Sequence, residues 1–304
     1  MIAIFTALMP IFLVIALGIG LRRWLAPDVT FWRTVERITY FVLFPSLLVH
    51  TLMTTSLPDG EVLTSLLSLL LPAVVVTLLV LTLRKPLGLN GKDFPSFLMG
   101  AIRFNSYAGL AAAYALYGDD GLALFALLLA AYIPTVNVIS TAALARYASP
   151  TGTSIPSVLR AIATNPVVLA CIIGLSMNLL EIRLPLVLDR TLAILGAAAL
   201  GFGLISVGAA LHLQSMRSDK RTLALASLLK LFVLPFVAWV FCSMLGVDGY
   251  AKSIVVLFAA LPCSPAAYVL ARQMGGNAEL MAGIISTGTA GAILSIPIML
   301  ALFG

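Results

Sequence analysis

The chain has 304 residues, of which 61% are hydrophobic and only 10% charged, against roughly 25% charged in a soluble domain. One soluble core of that apolar fraction needs a polar shell that 18 Lys and Arg with 12 Asp and Glu do not supply, so a water-soluble fold is excluded. The net charge of +6 does not indicate a nucleic-acid partner, because the basic residues are scattered over short connections with no basic face or aromatic platform.

Apolar runs bounded by charges, Pro and Gly predict ten membrane-spanning helices, at residues 2–21, 38–55, 62–83, 95–117, 121–145, 158–180, 190–211, 222–245, 252–271 and 280–303. The first run has no basic segment before it and no small-residue cleavage site before Arg22 and Arg23, so it reads as a retained span and not as a signal peptide. The seventh run is rich in Gly and Ala, a composition that suits close packing inside a bundle or at a homodimer contact. Connections after the odd-numbered runs hold thirteen Lys and Arg, whereas the remaining connections and both tails hold three, Arg183, Arg190 and Lys252. This asymmetry predicts both termini on the periplasmic side of a bacterial inner membrane. Cys171, Cys242 and Cys263 lie inside apolar runs without close spacing and read as small buried hydrophobes, not as disulfides or metal ligands. No cofactor is indicated.

The two halves share an ordered set of landmarks. Pro10 and Gly18 recur as Pro166 and Gly174, Pro72 as Pro235, and Gly118 as Gly275, at offsets of 156 to 163. Residues 1–149 and 150–304 therefore read as two five-helix repeats. Five being odd, the second copy is inverted, an arrangement common among secondary transporters that alternate access between two faces.

Interrupted spans point to the binding site. In the ninth run, Pro262 and Pro265 each lack an amide hydrogen and clash with the preceding turn, which opens the helix. At the same depth in the fourth run lie Asn105, Ser106 and Gly109. Opened backbone is tolerated in a membrane only where it lines protein or a water-filled cavity, so a substrate site is predicted where the two breaks meet, with Ser264 and Tyr268 close to it and Gly109, Pro262 and Pro265 as hinges. Arg103 and Lys230 are the two cations that sit about eight residues deep in their runs; each marks a functional route or snorkels to the interface. An arginine fork matches a carboxylate, and Asn105 and Ser106 can complete its shell, while Lys230 is a further candidate charge. All Asp and Glu lie at run ends or in connections, which favours an anionic over a cationic substrate. His50 and His212 close the second and seventh runs and read as interfacial.

The segments FVLFPSLLVH, RFNSYAGLAA, ATNPVVLACIIGL, LISVGAALHL and ALPCSPAAYVLARQMGGN resemble the auxin efflux carrier family, in particular its short bacterial members. The resemblance covers nearly the whole chain. It implies an all-α membrane fold of ten transmembrane helices in two inverted five-helix repeats, related to bile-acid symporters and sodium/proton antiporters, with unwound helices four and nine crossing. Helices one, two, six and seven would form a scaffold part, and three to five with eight to ten a transport part. Family substrates are organic anions, auxin in plants and small carboxylates in bacteria. Asn105 matches the family asparagine of the fourth-helix crossover and Pro265 the proline of the ninth. Many members also carry a proline about seven residues after that asparagine, where this chain has Ala111 and Ala112.

The leading expectation is a secondary transporter, not an enzyme, that moves small organic mono- or dicarboxylates and contacts membrane lipid, with proton or sodium open as the coupling ion. A sodium-coupled organic-anion symporter of the bile-acid type and an anion channel or non-transporting membrane sensor stand as alternatives.

Overall fold

The computed structural model describes residues 2–55, 62–148, 160, 163–217 and 219–304, and the elements within them are helical. In chain order they are α1 (Ile2–Trp24), α2 (Val29–Thr54), α3 (Val62–Leu83), α4 (Asp93–Ile102) and α5 (Ser106–Tyr147). Then follow α6 (Pro166–Leu179), α7 (Leu186–Ala210), α8 (Lys220–Leu245), α9 (Gly249–Ala260), α10 (Ala266–Gln273) and α11 (Ala278–Phe303). The expected boundary between halves, at residues 149 and 150, lies outside the described residues.

Seven helical stretches among the described residues are long and apolar enough to cross a membrane: α1, α2, α3, Asp93–Tyr147, α7, α8 and α11. This corrects the expectation of ten spans in two inverted five-helix repeats with crossing unwound helices. The runs predicted at 95–117 and 121–145 fall in one apolar stretch of 55 residues, which is broken between α4 and α5 and kinked within α5 at Gly118, whose φ of 61° and ψ of −148° are not helical. At 1.5 Å per residue, α6 with 14 residues and α9 with 12 reach only about 21 Å and about 18 Å, short of the ~30 Å hydrocarbon core. Hydropathy along a chain registers apolar content, whereas backbone continuity depends on local breaks that apolar content does not reveal.

The helices pack in two neighbourhoods. In one, α1 lies along α7, and α2 packs on both α6 and α7. Small residues bring these axes close. Gly18 faces the Ile205 carbonyl and Gly208 the Ile15 carbonyl so closely that any Cβ would overlap them, while Gly196 lies against Leu47 and Gly174 against Val49 and Leu52. In the other, α3 packs on α5 and α8, α9 on α5, α8 and α11, and α4 on α5 and α11. An aromatic cluster of Phe104, Phe125, Tyr132 and Phe258 fills its centre, with ring centroids 4.3 to 5.2 Å apart.

Two widened helical turns share one cause. Thr39–Leu43 in α2 and Leu229–Val233 in α8 are π-helical, and each is followed by proline within two residues, Pro45 and Pro235. Proline donates no hydrogen bond and its ring collides with the carbonyl four residues back. The turn relaxes by bonding one residue further, Phe44 N–H to the Thr39 carbonyl and Leu234 N–H to the Leu229 carbonyl. These turns carry Tyr40 and Lys230.

Candidate anion-binding cavity

Two interruptions position the site. Arg103 and Asn105 have extended backbone between α4 and α5, and residues 261–265 separate α9 from α10. The breaks adjoin: Cys263 Sγ lies 3.7 Å from the Met99 carbonyl at the end of α4, and Gly109 leaves space for Leu261. Three of the four broken helix ends have an orphan backbone group satisfied by a side chain. Tyr132 Oη donates to the Ile102 carbonyl at 2.9 Å, and the Asn105 side chain accepts from Ala108 N–H at 3.2 Å, capping α5. At the second break Lys230 Nζ donates to the Ala259 carbonyl at 2.8 Å, placing a cation at the negative end of α9.

Beside the breaks lies a cavity of about 1530 Å³. Its walls come from the end of α1, the start of α2, the end of α7, one side of α5, most of α10 and the start of α11. Arg22, Arg33, Arg37, Arg103 and Arg272 line it, with Glu36 the one carboxylate among its described lining residues. Asp28 caps α2 by accepting from Thr30 N–H at 2.8 Å, and so starts the helix that presents Arg33, Glu36, Arg37 and Tyr40. Arg22 donates to the Ala209 carbonyl near the end of α7. Polar uncharged groups, Asn137, Thr141, Asn165 and Ser206, share the lining with Trp32, Phe41, Val269 and Ile285. An excess of guanidinium charge in a concave wall of low polarisability attracts anions strongly.

Arg103 is half-buried at the cavity wall. Its Nη1 donates to Asn137 Oδ1 at 2.8 Å and to Ser140 Oγ at 3.4 Å, and Nε has no hydrogen-bond partner among the described residues. His212 also faces the cavity, its ring stacked on Tyr268 at 5.5 Å and its backbone N–H donating to Ser286 Oγ at 3.0 Å. Burial, then the charge of Arg22, hold the His212 imidazole below its ordinary pKa.

Of the residues singled out from the sequence, Arg103, Pro265 and Tyr268 line this cavity together. Asn105, Ser106, Ser264, Gly109, Pro262 and Lys230 do not. Asn105 is fully buried as a helix cap, Pro262 and Gly109 are packed between the breaks, and Lys230, 2% exposed, is spent on a backbone carbonyl. Sequence reasoning treated Arg22, Arg33, Arg37 and Arg272 as topological charges of the connections and passed over Tyr40, Asn137, Thr141 and Asn165. Asn137 had a signal: it is the one amide side chain in the apolar run at 121–145.

Residues 151–300 match a protein family described as membrane transport protein. The chain thus contains a domain of the auxin efflux carrier family over those residues, and it is a multi-pass all-α membrane transport protein. No curated protein matches the chain.

Proposed function

We propose that this chain, built on a transport domain of the auxin efflux carrier family, is a secondary carrier of small organic anions whose carboxylate is held at Arg103 in the arginine-lined cavity. The observation that carries the reading is the charge balance of that cavity, five arginines against one carboxylate. Its volume of about 1530 Å³ accommodates a metabolite-sized anion with water around it. Arginine is suited to the task because its planar fork stays charged and weakly hydrated in a site of low polarity. Pro265, which precedes α10, and Tyr268 within it line the same wall and would move with that helix. The break residues Asn105, Ser106 and Ser264 adjoin that wall in the chain, and Gly109 and Pro262 provide the close packing on which a hinge turns. Opening the cavity alternately to the two faces completes the cycle.

Uptake of labelled mono- and dicarboxylates into proteoliposomes, with proton, sodium and voltage gradients imposed separately, tests this. Saturable carboxylate flux that one of these gradients drives is the expected result. Flux that does not saturate would identify a channel, and absence of flux for every carboxylate with transport of a cation would overturn the reading.

A further inference from the structure

We infer that Asn137, seconded by Ser140, is a positioning residue that turns Arg103 into a side-on receptor for a planar carboxylate. The inference rests on the function proposed above and specifies how the same site recognises its ligand. Both hydrogen bonds given by the guanidinium run from Nη1, to Asn137 Oδ1 at 2.8 Å and to Ser140 Oγ at 3.4 Å. They occupy the end of the fork. What remains is the edge formed by Nε and Nη2, whose two N–H groups are parallel and spaced to meet both oxygens of one carboxylate. Nε is buried and has no partner among the described residues, an unmet donor of a kind that native proteins rarely leave without cause. Nε has almost no accessible surface, so a carboxylate reaches that edge by displacing the atoms packed over it and then satisfies both donors, whereas a spherical anion cannot engage both equally well.

The neutrality of Asn137 matters as much as its reach. Asn137 and Ser140 are three residues apart on α5, so they share one helix face and fix the guanidinium from a rigid element. An amide oxygen orients the fork without compensating its charge. Among the described residues no carboxylate forms an ion pair with Arg103, so the full positive charge is left for the ligand. An aspartate at residue 137 would have nearly the same shape and would supply that charge from within the protein.

The test is a titration of the purified full-length protein, in detergent, with acetate, benzoate, succinate and citrate, with chloride as the spherical anion, alongside thermal unfolding of each variant. The wild type is expected to bind at least one carboxylate, and the tightest is carried forward. Asn137→Asp should weaken it by about tenfold or more while the unfolding midpoint stays level or rises, because the new Arg–Asp pair stabilises the fold as it displaces the ligand. Asn137→Ala keeps the charge but frees the fork, so carboxylate affinity should fall less and the preference over chloride should narrow. Wild-type affinity in Asn137→Asp would overturn the inference, as would affinity and unfolding midpoint falling together in both variants, the mark of a merely structural role. Arg103→Gln separates the two levels of the argument. If it binds like the wild type, or if the wild type binds none of the carboxylates, the anion site itself fails, whereas loss in Arg103→Gln without loss in Asn137→Asp removes only the positioning role.

Discussion

Arg103 and Lys230 look alike in the sequence, each a lone cation inside an apolar run, yet their surroundings separate them. Arg103 keeps unspent donors at a cavity wall, while Lys230 is buried against the Ala259 carbonyl. A charge-assisted contact is worth about 1.5 to 3 kcal/mol, so Arg103→Gln should weaken carboxylate binding by about one to two decades, measured by titration of purified protein. Arg103→Lys should recover part of the charge term but not the bidentate geometry. Lys230→Met should instead leave carboxylate affinity unchanged and lower the unfolding midpoint, since it orphans a buried carbonyl at a cost of about 1 to 3 kcal/mol. A large affinity loss in Lys230→Met would return it to the binding site. The difference between these residues was not legible in the chain, because it depends on what lies across from each side chain.

At the scale of elements, helix contacts without a hydrophobic driving force depend on how close two backbones can come. Gly208 faces the Ile15 carbonyl and Gly18 the Ile205 carbonyl where α1 meets α7, and neither site has room for a Cβ. Gly208→Val should therefore push the two helices apart and destabilise the protein by about 1 to 3 kcal/mol, read as a lower unfolding midpoint. Gly201→Ala, in the same helix but with no atom within 4 Å of the added carbon, is the matched control and should be neutral or slightly stabilising. The Gly and Ala richness of that run made close packing legible in advance. The first interruption was less so. It contains no proline, and rests on the Asn105 cap and the Tyr132 hydroxyl, which comes from 30 residues along the chain.

For the molecule as a whole, the cavity joins helix ends and breaks that are far apart in sequence, and its titratable imidazole links stability to pH. His212 has its pKa lowered in the folded protein from the ordinary value of 6.5, chiefly by burial and then by Arg22. Below about pH 6.5 the unfolded chain takes up the proton first, so stability should fall as pH drops from that value through the lower folded pKa. His212→Asn should flatten this slope, measured as unfolding midpoints across a pH series. Equal slopes for both proteins would assign the dependence to other groups. Orientation is tested separately. The basic residues at one end of α1 and the start of α2 should face the cytoplasm. A cysteine replacing Arg33 in a cysteine-free background should label only from the cytoplasmic side; labelling only from outside would invert the molecule.

Membrane residence, helical class and transport were set by the sequence alone, because hydrocarbon admits only apolar helices over such lengths and because residues 151–300 match a membrane transport family. The same apolar content misled the count, since a run of suitable hydropathy can fold as a helix too short to cross. Only tertiary structure decided which charges matter. Arg22, Arg33, Arg37 and Arg272 are loop charges when read along the chain and cavity walls once α1, α2 and α10 converge. Asn137 acquires its meaning from Arg103, 34 residues earlier, because a hydrogen bond depends on distance in space, which the folded packing of α5 against the first break supplies.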